Sequence, residues 1–311
     1  MSIPVASGYP NVSYGQGNLA NLIPIIFSGR ALERFYERTC LSEISNTDYV
    51  GEISNMGDKV IINTIPDVPI KDYKKGMLLD VDYIESPAIE MTIDFAKSYN
   101  FGIDDIDQKQ MKIKDWIAKY ADNAGKRVKI GIEKHVFGSI FADAAAANKG
   151  QTAGKISGDL DLGIIGTPVT WTKANIIDYI LAAGQVLDEQ DRPDDGRWIV
   201  IPSWAVAMLK GSDLKDAALT GDQTSPIRNG RVGMIDRFMI YGSNLLTIDA
   251  GTKNFHVPFG HISSFCFVNN FVKTEKYRPE RGFTDAMKGL SVYGFKVLQP
   301  GSLGEIVAKK G

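Results

Sequence analysis

Residues 104–150 constrain this chain more than any other stretch, because they contain no proline and keep apolar side chains at helical spacing. Ile113, Ile117, Tyr120, Ala121, Ala124, Val128, Ile132, Val136 and Ile140 follow one another in steps of three and four, which places them on one face. Asp104, Asp105 and Asp107 stand where acids favour a helix start. Asn148, Lys149 and Gly150 read as a stop, with the glycine free to take a left-handed cap. About 40 residues at about 1.5 Å each predict a rod of roughly 60 Å, against a usual helix of about 11 residues. Gly125, Gly131 and Gly138 weaken it by roughly 1 kcal/mol each relative to alanine. The mixture of large and small residues argues against a heptad seam. The rod reads as a spine with a sheet packed along it, and Ile117→Asp, by placing a charge on its buried face, is expected to stop folding.

A chain of 311 residues holds one large domain or two ordinary ones. Its 44% hydrophobic and 23% charged content is that of a folded soluble protein. A formal charge of −2 gives no bulk drive towards nucleic acid or acidic lipid. Cys40 and Cys266 have no metal or redox spacing and read as small buried hydrophobes in a reducing compartment. The N-terminus lacks a charged region followed by an apolar one, so it does not read as a secretory signal. The most apolar segment, residues 198–209, is too short to span a bilayer. The composition therefore reads as a soluble intracellular chain.

Residues 1–21 are rich in Gly, Ser, Asn and Pro and read as an arm without structure of its own. Residues 28–40 read as a short amphipathic helix, with Leu32, Phe35, Tyr36 and Cys40 on one face. Residues 57–65 and 89–95 read as strands, the second from the alternation of Ile89, Met91, Ile93 and Phe95. Between them lie about 20 residues broken by Pro66, Pro69, Gly76 and Pro87, far more than a hairpin needs. That connection carries Val68, Ile70, Tyr73, Met77, Leu78, Leu79, Val81, Tyr83 and Ile84. It is too apolar for a solvated linker, and a long arm covered by another subunit resolves the conflict.

Residues 150–166 are glycine-rich and mark a boundary. Thr172 is read as the cap of a helix with Ile176, Ile177, Ile180, Leu181 and Leu187 on one face. A turn at residues 193–196, a buried strand at 197–201, a helix from Ser203 to Lys210 and a loop at 221–230 follow. Strands are expected at 238–241, 255–257, 264–268, 272–277 and 290–298, with 282–288 joining the last two. Hairpin and long helix first, then alternation, then strands alone, make the fold class α+β.

No catalytic constellation emerges. Gly150, Gly154 and Lys155 fail as a phosphate loop, because one residue is missing between the glycines and Ile156 stands where Ser or Thr would hold magnesium. No Gly-x-Ser-x-Gly elbow occurs. His135, His256 and His261 have no partner at metal-ligand spacing and read as structural. Asp188, Asp191, Asp194 and Asp195 miss the calcium-loop pattern at Gln190, Arg192 and Pro193. No catalysis, metal or cofactor is expected. Lys71, Lys74 and Lys75 form a compact basic group on the apolar connection.

Several segments, taken in order, resemble the major capsid proteins of tailed double-stranded DNA bacteriophages, the Hong Kong 97-type shell fold. Gly57-Asp58-Lys59-Val60-Ile61-Ile62, Val68 to Tyr73 and Ile89 to Phe95 look like the family's extended loop. Phe101 to Asp107 looks like the lead-in to its spine helix, and Arg197 to Pro202 like part of its axial domain. Gly230 to Gly233 leading to Leu245 looks like a later axial strand and turn. Thr274 to Phe283 and Gly289 to Leu298 look like the return into the peripheral domain.

The resemblance implies an N-terminal arm with a short helix (residues 1–48), an extended loop (49–90), a peripheral domain with the spine helix (91–155), an axial domain (156–262) and return strands of both (263–311). It implies hexamers and pentamers that close an icosahedral shell around packaged double-stranded DNA, touched non-specifically. The arm is shorter than the scaffolding segments some relatives carry, so a separate scaffolding protein is expected, with a portal and possible decoration proteins as further partners and no membrane. The virion capsid is the expected location, after assembly in the host bacterial cytoplasm. Lys71, Tyr73, Lys74 and Lys75 are expected to lie over the adjacent subunit, and Arg278, Glu280 and Arg281 to contact neighbours. Lys–Asn crosslinking is not expected, because no assisting acid is identified beside these lysines and Asn269-Asn270. An encapsulin-type compartment is the alternative within the fold, and an α+β enzyme the alternative outside it.

Overall fold

The computed structural model describes residues 39–47, 59–63, 68–78, 81, 83, 88–110, 116–212, 233–280 and 282–311. The arm at residues 1–21, most of the helix expected over 28–40 and the loop at 221–230 lie outside them, as does the side chain of Ile117. A short helix α1 (Leu41–Ile44) comes first, followed by an antiparallel pair of strands, β1 (Lys59–Asn63) and β2 (Ala88–Thr92). Val60, Ile62, Met91 and Ile93 bury one side of that pair against Cys266, Val268 and Val292. Both cysteines are buried, as their reading as small hydrophobes requires.

The strand expected at 89–95 is two strands in two sheets. The chain leaves β2 at Thr92 and enters β3 (Phe95–Asp104). Gly294 allows the crossing, since a Cβ there would sit 2.6 Å from the Thr92 carbonyl oxygen. The sequence reading missed β3, although Phe95, Tyr99, Phe101 and Ile103 alternate at the period of a strand. It joins β9 (Phe265–Tyr277) and β10 (Thr284–Val297) in the order β3-β10-β9. β9 replaces the two short strands expected at 264–268 and 272–277, and β10 absorbs most of the expected connector at 282–288.

The spine is shorter than its pattern predicted. α2 (Asp105–Gln110) and α3 (Trp116–Phe137) carry it, and the helix ends at Phe137, not at Gly150. Asp104 acts as a cap, its carboxylate accepting the Ile106 N–H at 2.9 Å. At the far end the Thr247 hydroxyl donates to the Phe137 carbonyl and the Ser139 hydroxyl to that of His135, so other groups serve the last turn. Residues 140–143 and 146–148 form single 3₁₀ turns. Ala144 to Ala147 favour a helix by propensity, but tertiary bonds override it. Ala145 N–H donates to the Pro300 carbonyl, and the Asn148 amide donates to Gly301 and Leu303. Val128, Ile132 and Val136 are buried as the helical stripe requires.

A third sheet, of six strands, has the order β4-β11-β8-β5-β7-β6. Its strands are β4 (Val169–Trp171), β5 (Arg197–Ile201), β6 (Met234–Ile235), β7 (Phe238–Gly242), β8 (Phe255–His261) and β11 (Leu303–Lys310). β11 runs antiparallel to β8 and parallel to β4. Both β4 and β11 escaped the sequence reading. Residues 303–308 are buried without alternation, so no period marked them. Helices α4 (Ile176–Asp188) and α5 (Ser203–Lys210) complete this layer. α4 begins at Ile176, with Asn175 as its N-cap residue, not at Thr172. The Asn175 side chain instead ties the preceding turn, accepting the Thr172 N–H at 2.7 Å and donating to the Thr170 carbonyl. Leu181, assigned to the buried face, is exposed.

Within this sheet the Phe259 ring lies over Gly304, its cross-strand partner; a Cβ at 304 would sit 2.2 Å from the ring. Gly304→Val is therefore expected to cost about 1–3 kcal/mol through overpacking. Urea unfolding of the unassembled chain measures it, and an unchanged midpoint would show that the ring moves aside without penalty.

Candidate functional site

The connection between β1 and β2 leaves its apolar side chains in solvent. Ile70 is 97% exposed, Leu78 90% and Tyr83 92%, with Val68, Tyr73, Met77 and Val81 also exposed. Single exposed hydrophobes are ordinary, but a row of them on one connection marks an interaction surface. Burying such side chains is worth about 1.5–3 kcal/mol each. A turn at Gly76, with φ +89°, folds the tip so that Met77 N–H meets the Lys74 carbonyl at 2.9 Å. Lys71, Lys74 and Lys75 are exposed beside these groups. At the base, Lys59 and Glu90 pair across the strands at 3.1 Å.

The other expected contact residues are spread apart. Arg278 is engaged within the chain, paired with Asp105 at the start of α2. Glu280 is exposed, and Arg281 lies outside the described residues. Beyond Arg278, β9 and β10 carry matched charges: Lys273 and Lys288 flank Glu275, and Lys276 faces Asp285 at 3.4 Å. These sheet residues and the apolar connection do not form one cluster with a catalytic geometry. Among the described residues, no group of three His, Cys, Asp or Glu is placed to hold a metal ion. No described helix is long and apolar enough to cross a membrane.

Three buried polar clusters hold the frame that presents these surfaces, and sequence spacing revealed none of them. Glu133 on α3 turns inward and accepts the Cys40 and Leu41 N–H groups at 2.9 and 3.1 Å, tying the start of α1 to the spine. Burial raises its pKa, and those donors pull against the rise. Arg197 is buried at the start of β5 and donates to the carbonyls of Pro193, Gly184 and Arg192. Asp188 and Asp194 complete its shell and also pair with Arg237.

His256 reads as structural from the sequence, and the fold supplies it with carboxylate partners that its sequence spacing did not show. The fold brings Asp249 to its Nε2 at 3.0 Å and Glu305 to its Nδ1, and the Phe141 ring stacks on it at 4.7 Å. His135 donates to or accepts from the Tyr293 hydroxyl at 3.0 Å, and His261 bonds Ser263. Burial works against a charge on His256, but the bonds to Glu305 and Asp249 outweigh it and raise its pKa. The folded chain thus binds this proton more tightly than the unfolded one. The resulting stability is complete below about pH 6.5 and is lost as pH rises through the raised folded value. Relative to an Asp249→Asn/His256→Gln/Glu305→Gln control, the parent's urea midpoint is expected to fall from about pH 6 to about pH 9. Burial depresses His135 and His261, and their contributions cancel in that comparison. A difference that does not change with pH would contradict the assignment.

The described frame is thus two larger sheets with a spine helix, and an exposed apolar connection stands on a separate two-stranded sheet. The family model for phage capsid proteins matches residues 90–303, more than two thirds of the chain. The chain belongs to this family. Its fold is the Hong Kong 97-type α+β fold of phage capsid subunits. It is similar to a solved chain from Mycobacterium phage Che8, with 24% identity and a TM-score of 0.73 over 93% of this chain and 97% of that one. It is also similar to the capsid structure of cyanophage P-SCSP1u, at 18% identity and TM-score 0.66 over 96% of each chain. The mature capsid asymmetric unit of bacteriophage PhiM1 gives 17% and 0.62 over 98% of this chain and 99% of that one. No curated protein matches the chain. The family match favours a phage capsid protein over the encapsulin-type alternative.

Proposed function

We propose that this chain is the major capsid protein of a tailed phage, forming hexamers and pentamers that close an icosahedral shell around double-stranded DNA. Family membership supports the capsid role. The observation that carries the assembly mechanism is the exposed apolar row on residues 68–83. A lone subunit gains nothing from keeping Ile70, Leu78 and Tyr83 in water, whereas a neighbour covering them gains their burial. In this reading Tyr73 and the apolar row dock on the adjacent subunit, and Lys71, Lys74 and Lys75 pair with its acids. Such surface pairs are worth only about 0–1 kcal/mol each, so they set register more than affinity. Arg278, Glu280 and Arg281 contact neighbours near local symmetry axes, with the Arg278–Asp105 pair fixing the strand end there.

The work of the protein is binding, not catalysis. In this reading the chain divides into an arm (residues 1–48), the extended loop (49–90), a peripheral domain with the spine (91–155), an axial domain (156–262) and return strands of both (263–311). A separate scaffolding protein, a portal and any decoration protein complete the particle, which assembles in the host bacterial cytoplasm. The test is sedimentation velocity with negative-stain microscopy of the chain co-produced with the other head proteins. Closed shells, tubes or capsomer rings are expected. A chain that stays monomeric under those conditions overturns the reading.

A further inference from the structure

The side of α3 turned away from the core is a row of cations. Lys119, Lys126, Arg127, Lys129 and Lys134 are all exposed. At about 100° per residue Lys119, Lys126, Arg127 and Lys134 fall on the flank away from Val128 and Ile132, and Lys129 stands at its edge, about 60° round from Ile132. The one exposed acid among them, Asp122, is bound to Lys126 at 2.7 Å. Glu133 is buried and occupied by the Cys40 and Leu41 backbone, so it does not offset the row at the surface. Lys119, Arg127, Lys129 and Lys134 make no ion pair among the described residues. Other charged clusters of the frame are matched: Lys273 and Lys288 around Glu275, Lys276 on Asp285, Arg278 on Asp105, and Arg197 and Arg237 around Asp188 and Asp194. A chain with a net charge of −2 thus carries a run of unpaired cations on this helix, besides exposed lysines elsewhere such as Lys155, Lys173, Lys309 and Lys310.

We propose that this stripe is the surface through which the subunit touches the phosphate backbone of the enclosed duplex DNA. The proposal rests on the shell reading above. From residue 119 to residue 134 the helix rises about 22 Å. Duplex DNA carries a negative charge every ~1.7 Å of its axis, so the row meets phosphates in any register. All but Arg127 are lysines, which meet phosphate as compact, strongly hydrated point charges on flexible stems. The contact is therefore indifferent to sequence and weakened by salt, as a genome that must later leave requires.

The test uses the full-length unassembled protein and a labelled duplex of about 30 base pairs of mixed sequence, titrated by fluorescence anisotropy from about 50 to about 200 mM salt. The stripe variant is Lys119→Gln/Arg127→Gln/Lys129→Gln/Lys134→Gln. The control, Lys155→Gln/Lys173→Gln/Lys309→Gln/Lys310→Gln, removes the same charge from exposed positions elsewhere. All these side chains are exposed, so folding stability is expected to hold within about 0.5 kcal/mol per change. In the stripe variant the slope of log affinity against log salt should shrink by about 3–4, at ~0.9 for each lost phosphate contact. The control should keep the parent's slope. No duplex binding by the parent, an unchanged slope in the stripe variant, or an equal loss in the control overturns the proposal. So does a stripe variant that loses binding to polyglutamate but keeps the duplex, which would assign the row to an acidic protein. Failure here leaves shell formation untouched, and failure to form shells is read separately by sedimentation.

Discussion

A chain lacking residues 69–79 is expected to fold and to form no shells. The base of the loop does not depend on the deleted segment. Val60, Ile62, Met91 and Ile93 pack with Cys266, Val268 and Val292, and the β1–β2 register runs from Lys59–Thr92 to Asn63–Ala88. The described residues of the segment contribute nothing to either core cluster and leave Ile70 and Leu78 in solvent. Shortening a flexible connection changes closure entropy by only about 0.6 kcal/mol per halving, so the urea midpoint of the subunit should move little. Assembly should vanish because the surface proposed to dock on a neighbour is gone. Sedimentation velocity separates the outcomes, and normal shells from the shortened chain would show that the loop is not the clasp.

Arg197→Ala should cost about 1–3 kcal/mol, the loss expected when enclosed acceptors lose their donor, since Asp188 and Asp194 are part exposed and still paired with Arg237. The guanidinium is fully enclosed and serves three carbonyls besides Asp188 and Asp194. Truncation leaves the Gly184 carbonyl, the most enclosed of those acceptors, without this donor. Burial would raise the pKa of Asp188, but the bonds from Arg237 and Arg197 outweigh it and hold the carboxyl below its usual range. The damage should fall on the six-stranded sheet, because Arg197 opens β5 between β7 and β8. Equilibrium urea unfolding of the unassembled chain measures it. A loss below about 1 kcal/mol would mean that the site relaxes or that Arg237 takes over the acids.

The sequence exposed the parts of this fold whose signals are local. The helical stripe through Val128, Ile132 and Val136 predicted the spine, and the turn at Gly196 with the apolar run after it predicted β5. It overextended the spine past Phe137, because Ala144 to Ala147 keep helix propensity while Pro300, Gly301 and Leu303 claim their neighbourhood from the far end of the chain. It missed β11 for a related reason: a strand covered on both faces loses its alternation. The surfaces show the same division. The apolar connection was legible because Ile70, Leu78 and Tyr83 conflict with a solvated linker by composition alone. The carboxylates on His256 were not, because Glu305 arrives from a different strand. Arg278 was legible as an exposed charge but not as the partner of Asp105, which depends on the registers of both β3 and β9 on β10.

The most direct test of the assembly account is an electron cryomicroscopy reconstruction of shells formed by this chain. The account predicts hexamers and pentamers in which residues 68–83 lie across the adjacent subunit, with Ile70, Leu78 and Tyr83 buried there. Closed shells in which those three side chains remain in solvent would contradict it.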